Sequence, residues 1–268
     1  MAISQHILFY CGEGGLPLYQ LNRLKKLADY FRSSMSLVNV TLHKSANIDQ
    51  PLRVLALATK PQDLCLFHIE GLDAELAHRV VLNFLAEYQH PFFAKQRTIE
   101  QALDIVEDKR QQYCDWLHFD DNQMIKANFN THPPTKTAVL DTLAQTIALD
   151  NRQMGSPAIT QAFQNREQIS ATVMNHHIAL PHIMNEQIEQ PSLAVYLSNL
   201  PIDWHSPRGP VSLIIALALP KPATREMIMP FALFSKSLLE STYCQGLLSV
   251  TDTVEFRAMI VEGMSTRT

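Results

Sequence analysis

The sequence predicts two domains, an α+β domain followed by an α/β domain whose mixed sheet is flanked by helices. Strand-like and helix-like segments alternate within residues 1–90, and they alternate again after the double proline Pro133-Pro134. The length of 268 residues suits two domains of ordinary size. We therefore expect a first domain over 1–90, a helical linker over 91–133 and a second domain over 134–268.

The first domain is predicted from apolar residues that recur with strand and helix periods. Glycine-rich turns and the capping residue Asp73 mark the ends of its segments. The predicted elements are a strand over 6–10, a helix over 21–31, a strand over 38–42, a strand over 64–69 and a helix over 74–85. This order indicates an α+β sandwich, in which helices cover one face of a sheet.

The linker and the second domain show the same two periods. Strands that alternate with helices predict a mixed sheet covered on both faces. The predicted elements are helices over 98–112, 136–149, 157–165, 227–239 and 253–263 and strands over 193–197 and 212–219. We expect Pro230 in the first turn of its helix and Gly263 as the cap of the last helix.

Composition excludes several classes of function. Lys and Arg total 22 against 26 Asp and Glu, so no basic surface for a nucleic acid is expected. The four cysteines are scattered, which argues against a disulfide framework and a metal site. None of the eight glycines lies in a nucleotide-binding loop, and we expect no cofactor. Without a signal-peptide pattern or an apolar run long enough to cross a membrane, the chain is predicted to be cytoplasmic, with no membrane insertion.

The candidate site centres on His182, which ends the apolar string Ile178-Ala179-Leu180-Pro181. Proline fixes its own backbone and disfavours helix in the residue before it, so we expect His182 at a strand end or a turn. Imidazole is nucleophilic near neutral pH and forms an N–P bond of high transfer potential. Arg166 is a candidate guanidinium for a phosphate group.

Residues 136–263 resemble the type-2 EIIA proteins of the bacterial phosphoenolpyruvate:sugar phosphotransferase system. The resemblance rests on Arg166-Glu167-Gln168, on Thr172 and on the string ending at His182, with Trp204 where family members often carry an aromatic residue. It implies that His182 is phosphorylated, with Arg166 near it. It also implies a phosphotransferase of the fructose/mannitol class that acts as a phosphohistidine carrier.

The chain departs from the family pattern at three places. Met227 stands where the family usually has a second histidine, Ile183 replaces a small residue, and the segment 175–177 replaces small residues before the string. His176 and His177 are auxiliary candidates for holding phosphate. A metal site formed by these two residues and His182 lacks an acidic or cysteine ligand and is not expected.

Each of these residues also has a purely structural interpretation. A histidine after a proline is commonly a turn residue, and Arg166-Glu167 alone would be a solvated helix end. His176 and His177 would then be polar loop residues.

Residues 6–90 resemble HPr, the small phosphocarrier protein of the same system, and this implies an HPr-like open-faced β-sandwich. The resemblance is strongest in the segment HIEGLDAELAHRVVLNFL. HPr is phosphorylated on a histidine at the start of its first helix. Here Pro17 takes the place of that histidine and Tyr19 the place of a neighbouring arginine, while Arg53 lies near the place of a regulatory serine. We expect this domain to carry no phosphate and either to dock a partner or to stabilise the second domain.

Two hypotheses about function result. In the first, His182 accepts a phosphoryl group from HPr or an HPr-containing phosphocarrier and passes it to the EIIB domain of a sugar permease. In the second, the chain is a regulatory protein that binds phosphotransferase partners or a transcription regulator without efficient relay. Arg166 and His182 favour the first hypothesis, whereas Met227, Ile183 and Pro17 favour the second.

Overall fold

The computed structural model describes residues 3–93, 96–174 and 177–265, and the chain divides into two units. One unit contains the chain up to Gln111 together with the chain from Gln245 onward, and the other is Gln112–Cys244. This division differs from the predicted boundaries, which assigned the C-terminal segment to the second domain. Sequence order does not reveal which sheet a terminal helix packs against.

The first unit is built on a four-stranded antiparallel sheet in the order β1-β4-β2-β3. Its strands are β1 Ile3–Tyr10, β2 Ser34–Asn39, β3 Lys44–Asn47 and β4 Leu64–Gly71. Its helices are α1 Leu18–Ala28, α2 Pro51–Leu55, α3 Ala74–Glu87, α4 Gln96–Tyr113, which ends just beyond the unit, and the C-terminal α9 Thr253–Met264. The predicted sheet with helices is confirmed, and β3 and α2 are added to the predicted elements.

Both faces of this sheet are buried near β1, whereas the sequence predicted helices on one face. Ile7 and Phe9 belong to the core cluster that also contains residues of α1 and α3. Leu8 and Tyr10 point to the opposite face, because successive strand residues alternate, and they are 1% and 0% exposed. The second face of the sheet is therefore covered near β1.

Helix α9 contacts the second face of the sheet. Glu262 pairs with Lys109 Nζ at 2.7 Å, and the same Nζ lies 5.1 Å from the centre of the Tyr10 ring. Near the other end of β1, His6 Nε2 lies 3.0 Å from Glu255. These contacts explain why the C-terminal helix belongs to the first unit.

The second unit contains a mixed five-stranded sheet in the order β5-β8-β9-β6, with β7 also paired to β9. Its strands are β5 Met124–Ala127, β6 Ile178–Ala179, β7 His182–Asn185, β8 Ser192–Ile202 and β9 Val211–Pro220. Strands β8 and β9 are antiparallel and the other pairs are parallel, which confirms the predicted mixed sheet. The helices are α5 Lys136–Asp150, α6 Ser156–Ile169 and α7 Arg225–Ser237, and the next helix, α8 Ser241–Ser249, begins in this unit and ends in the first.

A proline divides the chain segment that runs beside β9 into β6 and β7. Leu180 N donates to Thr172 O at 3.0 Å, and Leu217 N donates to Pro181 O at 3.0 Å. Pro181 has no N–H for the ladder, so strand pairing stops and resumes at His182. The sequence prediction of His182 at a strand end agrees with its place as the first residue of β7.

Several helix ends differ from the predicted ones. Helix α7 begins at Arg225, so Pro230 lies inside it rather than in its first turn. Gly263 lies inside α9, and Ser265 is the C-cap. Asp73 is the N-cap of α3, but its carboxylate accepts from Arg32 N and Ser33 Oγ instead of capping the helix. Across the described ranges, no helix combines the length and the apolar character needed to cross a membrane.

Candidate functional site

His182 presents one ring nitrogen for chemistry. Its Nδ1 lies 2.9 Å from Leu180 O, and a carbonyl oxygen can only accept, so Nδ1 carries the proton in the neutral ring. The lone pair is then on Nε2. The residue is partly buried, and the centre of the Phe231 ring lies 5.5 Å from that of the imidazole.

A cavity of about 400 Å³ opens beside His182. Two arginines line it together with the histidine: Arg166 from α6 and Arg208 from the loop between β8 and β9. Hydroxyl groups of Thr172, Ser206 and Ser235 belong to lining residues as well. Among the described residues that line this cavity there is no aspartate or glutamate. The two arginines of the cavity therefore offer hydrogen-bond donors and positive charge to an anion.

Arg166 belongs to a helix that is longer than the predicted one. Helix α6 continues to Ile169, so Arg166 belongs to its last turn rather than following it. Its Nη1 donates to Ser170 O at 3.0 Å. The structure thus brings Arg166 and His182, the two principal predicted residues, to the same cavity.

Glu167, the neighbour of Arg166, has a buried structural role that the sequence interpretation missed. Its side chain is 2% exposed and pairs with Lys136 Nζ at 2.7 Å. Its carboxylate accepts from Trp204 Nε1 at 2.9 Å and from both the backbone N–H and the hydroxyl of Thr172. Glu167 therefore ties α6 to the cavity wall at Thr172 and to the segment that leads to Arg208.

Helix α7 forms the wall of the site above the imidazole. Phe231 packs on the His182 ring, and Ser235, one turn later, lines the cavity. Met227 lies one turn before Phe231 and so shares its face of the helix. A methionine side chain supplies no N–H donor, so at Met227 this face brings no hydrogen-bond donor or charge.

Of the two auxiliary histidines, the structure describes only His177. His177 has a positive φ of 64°, and its Nδ1 lies 2.9 Å from Pro210 O. It is not among the described residues that line the cavity. His176 lies outside the described residues. Within the described part of the chain no group of three or more His, Cys, Asp or Glu side chains could hold a metal ion.

The sequence interpretation did not include Arg208. Arg208 N donates to Ser206 Oγ at 3.2 Å and Gly209 N to Ser206 O at 3.1 Å, which closes a turn between β8 and β9. The side chain of Arg208 extends to the cavity wall, where its Nη1 donates to Val173 O at 3.0 Å. The sequence signal was a loop of Ser, Pro, Arg and Gly between two apolar strands, which predicts a turn but not where its arginine reaches.

In the first unit, helix α1 begins directly after Pro17. Pro17 is the N-cap residue, and Tyr19 is exposed in the first turn. Neither side chain can accept a phosphoryl group as an imidazole does.

Three comparisons with known proteins show what this chain is similar to. The family model described as phosphoenolpyruvate-dependent sugar phosphotransferase system, EIIA 2, matches residues 122–263. A nitrogen regulatory protein of Klebsiella oxytoca is 26% identical over 136 residues, which are 50% of this chain and 83% of that protein. A multiphosphoryl transfer protein of Shigella flexneri is 28% identical over 87 residues, 32% of this chain, and the match spans 10% of that protein's length. The crystal structure of nitrogen regulatory protein IIA-Ntr from Neisseria meningitidis is similar with a TM-score of 0.46 and 20% identity, over 52% of this chain and 93% of that chain.

Proposed function

Because this chain belongs to the EIIA 2 family of the phosphoenolpyruvate-dependent sugar phosphotransferase system, we propose that His182 is a phosphoryl carrier. It accepts a phosphoryl group from HPr or an HPr-containing phosphocarrier and passes it to an EIIB domain, in the uptake of a sugar of the fructose/mannitol class. The observation that carries the proposal is the contact of His182 Nδ1 with Leu180 O, which leaves Nε2 for chemistry in a histidine that lines a cavity with two arginines.

The transfer step needs little from the protein beyond position and charge. The lone pair of His182 Nε2 attacks the phosphorus of the donor's phosphohistidine, and the donor's N–P bond breaks with its electron pair returning to the donor imidazole. The new N–P bond places positive charge on the His182 ring, and Leu180 O stabilises it through the Nδ1 proton. Arg166 stabilises the charge on the phosphoryl oxygens.

The retained hydrogen bond at Nδ1 also serves the second transfer. A cysteine thiolate of the EIIB domain attacks the phosphorus, the N–P bond breaks, and its electron pair returns to Nε2. The ring is then again the neutral tautomer with its proton on Nδ1, so no separate acid or base is required at this histidine.

A regulatory protein is the second candidate. Two observations favour it: Met227 puts no donor on the α7 face above the imidazole, and a relative that matches half of this chain is named a nitrogen regulatory protein. In this case a partner such as a transcription regulator would recognise the phosphorylated or unphosphorylated site. Relay to an EIIB domain would be slow.

We assign a docking role to the N-terminal sheet unit, which we take to be derived from HPr. The order of its strands and helices supports this derivation, and Pro17 at the start of α1 rules out phosphorylation at that position. Docking would bring a phosphotransferase partner to the chain that carries His182.

The test uses enzyme I, HPr and labelled phosphoenolpyruvate. The wild-type chain should be labelled and should lose its label when an EIIB domain is added, whereas His182→Ala should stay unlabelled. His177→Ala is the matched control and should label like the wild type. Labelling without loss to any EIIB domain favours the regulatory candidate, and an unlabelled wild type beside a labelled EIIA control contradicts both phosphorylation and relay.

A further inference from the structure

We propose that Arg208 is the second cation that binds the phosphoryl group at this site. The inference deepens the proposed function and rests on it. Arg208 comes from a loop that neither the motif at Arg166 nor the histidine string includes. The proposal for Arg208 therefore rests on the position of this residue in the fold and not on a sequence motif.

The two arginines approach the cavity in the same manner. Arg166 Nη1 donates to Ser170 O at 3.0 Å, and Arg208 Nη1 donates to Val173 O at 3.0 Å. Both acceptors belong to the segment 170–174, which lines the cavity. One N–H of each guanidinium is therefore used to orient it, and a guanidinium has five. Among the described residues the remaining donors have no protein acceptor, so they are available to an oxyanion.

Charge supports the same assignment. Neither arginine forms an ion pair with a carboxylate in the described ranges. A phosphoryl group carries about two negative charges near neutral pH, so one guanidinium leaves it partly uncompensated and two match it. Among the described lining residues no acidic side chain opposes that charge.

The loop holds the backbone of Arg208 in a defined turn, and the hydrogen bond from Nη1 to Val173 O orients its exposed side chain. Ser206 accepts from Arg208 N and from Gly209 N, and Gly209 has a φ of 94°, which favours glycine in this turn. Trp204, just before the turn, is fully buried, and its Nε1 donates a hydrogen bond to the carboxylate of Glu167. The turn is thus anchored to the same Glu167 that supports Thr172.

The first measurement is independent of phosphoryl relay. Inorganic phosphate is titrated into the unmodified protein, and its affinity is followed by NMR for the wild type, Arg208→Gln and Arg208→Lys. Loss of charge-assisted hydrogen bonds should weaken phosphate binding about tenfold to a hundredfold in Arg208→Gln, with partial recovery in Arg208→Lys. Arg152→Gln changes an exposed arginine outside the cavity and should bind like the wild type.

The second measurement is the rate of labelling by phosphorylated HPr, which should fall by a similar factor in Arg208→Gln. Unchanged urea unfolding midpoints show that the variants are folded. Equal phosphate affinity in Arg208→Gln and the wild type overturns the inference. If the wild type is not labelled at all but Arg208→Gln still loses phosphate affinity, the proposed relay is wrong and the assignment of Arg208 as an anion-binding residue stands.

Discussion

Arg166 and Glu167 are adjacent in the sequence, but their side chains have different surroundings and functions. Arg166 faces the cavity, whereas the Glu167 carboxylate is buried and satisfied by Lys136, Trp204 and Thr172. A buried carboxylate is stable only when it is paired and hydrogen-bonded, and Glu167 is both. The family motif therefore combines a ligand-facing residue with the residue that fixes the surrounding wall.

We predict that Glu167→Gln destabilises the second unit by about 3 kcal/mol, because it leaves the ammonium of Lys136 without its buried partner. The measurement is the free energy of unfolding in urea. Glu186→Gln, an exposed glutamate of the same unit, is the control and should change stability by less than about 0.5 kcal/mol. A Glu167→Gln variant as stable as this control would show that the network is not needed.

His90 in the first unit is a buried histidine with a structural function. Its Nδ1 accepts from Gly12 N at 2.9 Å, and its side chain is 1% exposed. Burial disfavours the charged ring and lowers the pKa of His90 to about 4. The folded state therefore binds fewer protons at His90 than the unfolded state between about pH 6.5 and pH 4.

Because the unfolded state binds more protons in this window, stability should fall as the pH is lowered from about 6.5 to 4. The contribution of His90 is on the order of 3 kcal/mol, fully present above the unfolded pKa and lost below the folded one. Urea unfolding at a series of pH values measures it. His90→Asn keeps an acceptor for Gly12 and removes the titration, so its stability should fall less over this range. Parallel curves for the two proteins would refute the assignment.

At the scale of elements, the structure shows which parts of the fold the sequence determines by itself. Long amphipathic segments such as α5 were predicted almost to the residue, because burial of one face sets the spacing of their apolar residues. The short strand β3 has a polar sequence, KSAN, and pairs only because β2 lies beside it. The reach of Arg208 to Val173 likewise depends on two segments far apart in the chain, so no local pattern could reveal it.

Helix α7 contains an internal proline, and a hydrogen bond from the side chain of Trp116 replaces the helical hydrogen bond that this proline removes. Pro230 has no N–H, so the carbonyl of Glu226, four residues before, lacks its helical donor. Trp116 Nε1 donates to that oxygen at 3.3 Å. The helix that carries Phe231 to His182 thus stays continuous through the proline.

We predict that this hydrogen bond appears as a coupling between Trp116 and Pro230. Trp116→Phe should cost more stability in the wild type than in Pro230→Ala, where the restored backbone N–H can bond to Glu226 O. A double-mutant cycle in urea should give a coupling of about 1 kcal/mol. Additive effects of the two substitutions would contradict the compensation.

At the scale of the whole molecule, the C-terminal helix α9 belongs to the family match but not to the unit that contains most of that match. The family match extends to residue 263 and so includes nearly all of α9, yet the contacts of α9 assign it to the unit that contains the N-terminal sheet. Glu262 is central to these contacts, because its buried carboxylate binds Lys109 and Thr41. The two units are therefore not two consecutive stretches of sequence.

We predict that Glu262→Gln lowers the protection of the first sheet. In hydrogen exchange followed by mass spectrometry, peptides from β1 and β4 should exchange faster than in the wild type, because Lys109 loses its buried partner. Glu240→Gln, an exposed glutamate of the second unit, is the control and should leave those peptides unchanged. Wild-type exchange in β1 and β4 of Glu262→Gln would mean that α9 does not stabilise this sheet.

The central claim is that His182 Nε2 carries the phosphoryl group. The most direct measurement is NMR of the protein, labelled with ¹⁵N in its histidines, after incubation with enzyme I, HPr and phosphoenolpyruvate. We predict one phosphorylated imidazole, at Nε2 of His182, with the proton retained on Nδ1. A phosphoryl group on another histidine, or on Nδ1 of His182, would contradict the account. So would an unphosphorylated protein in an experiment where an EIIA control is phosphorylated by the same enzyme I and HPr.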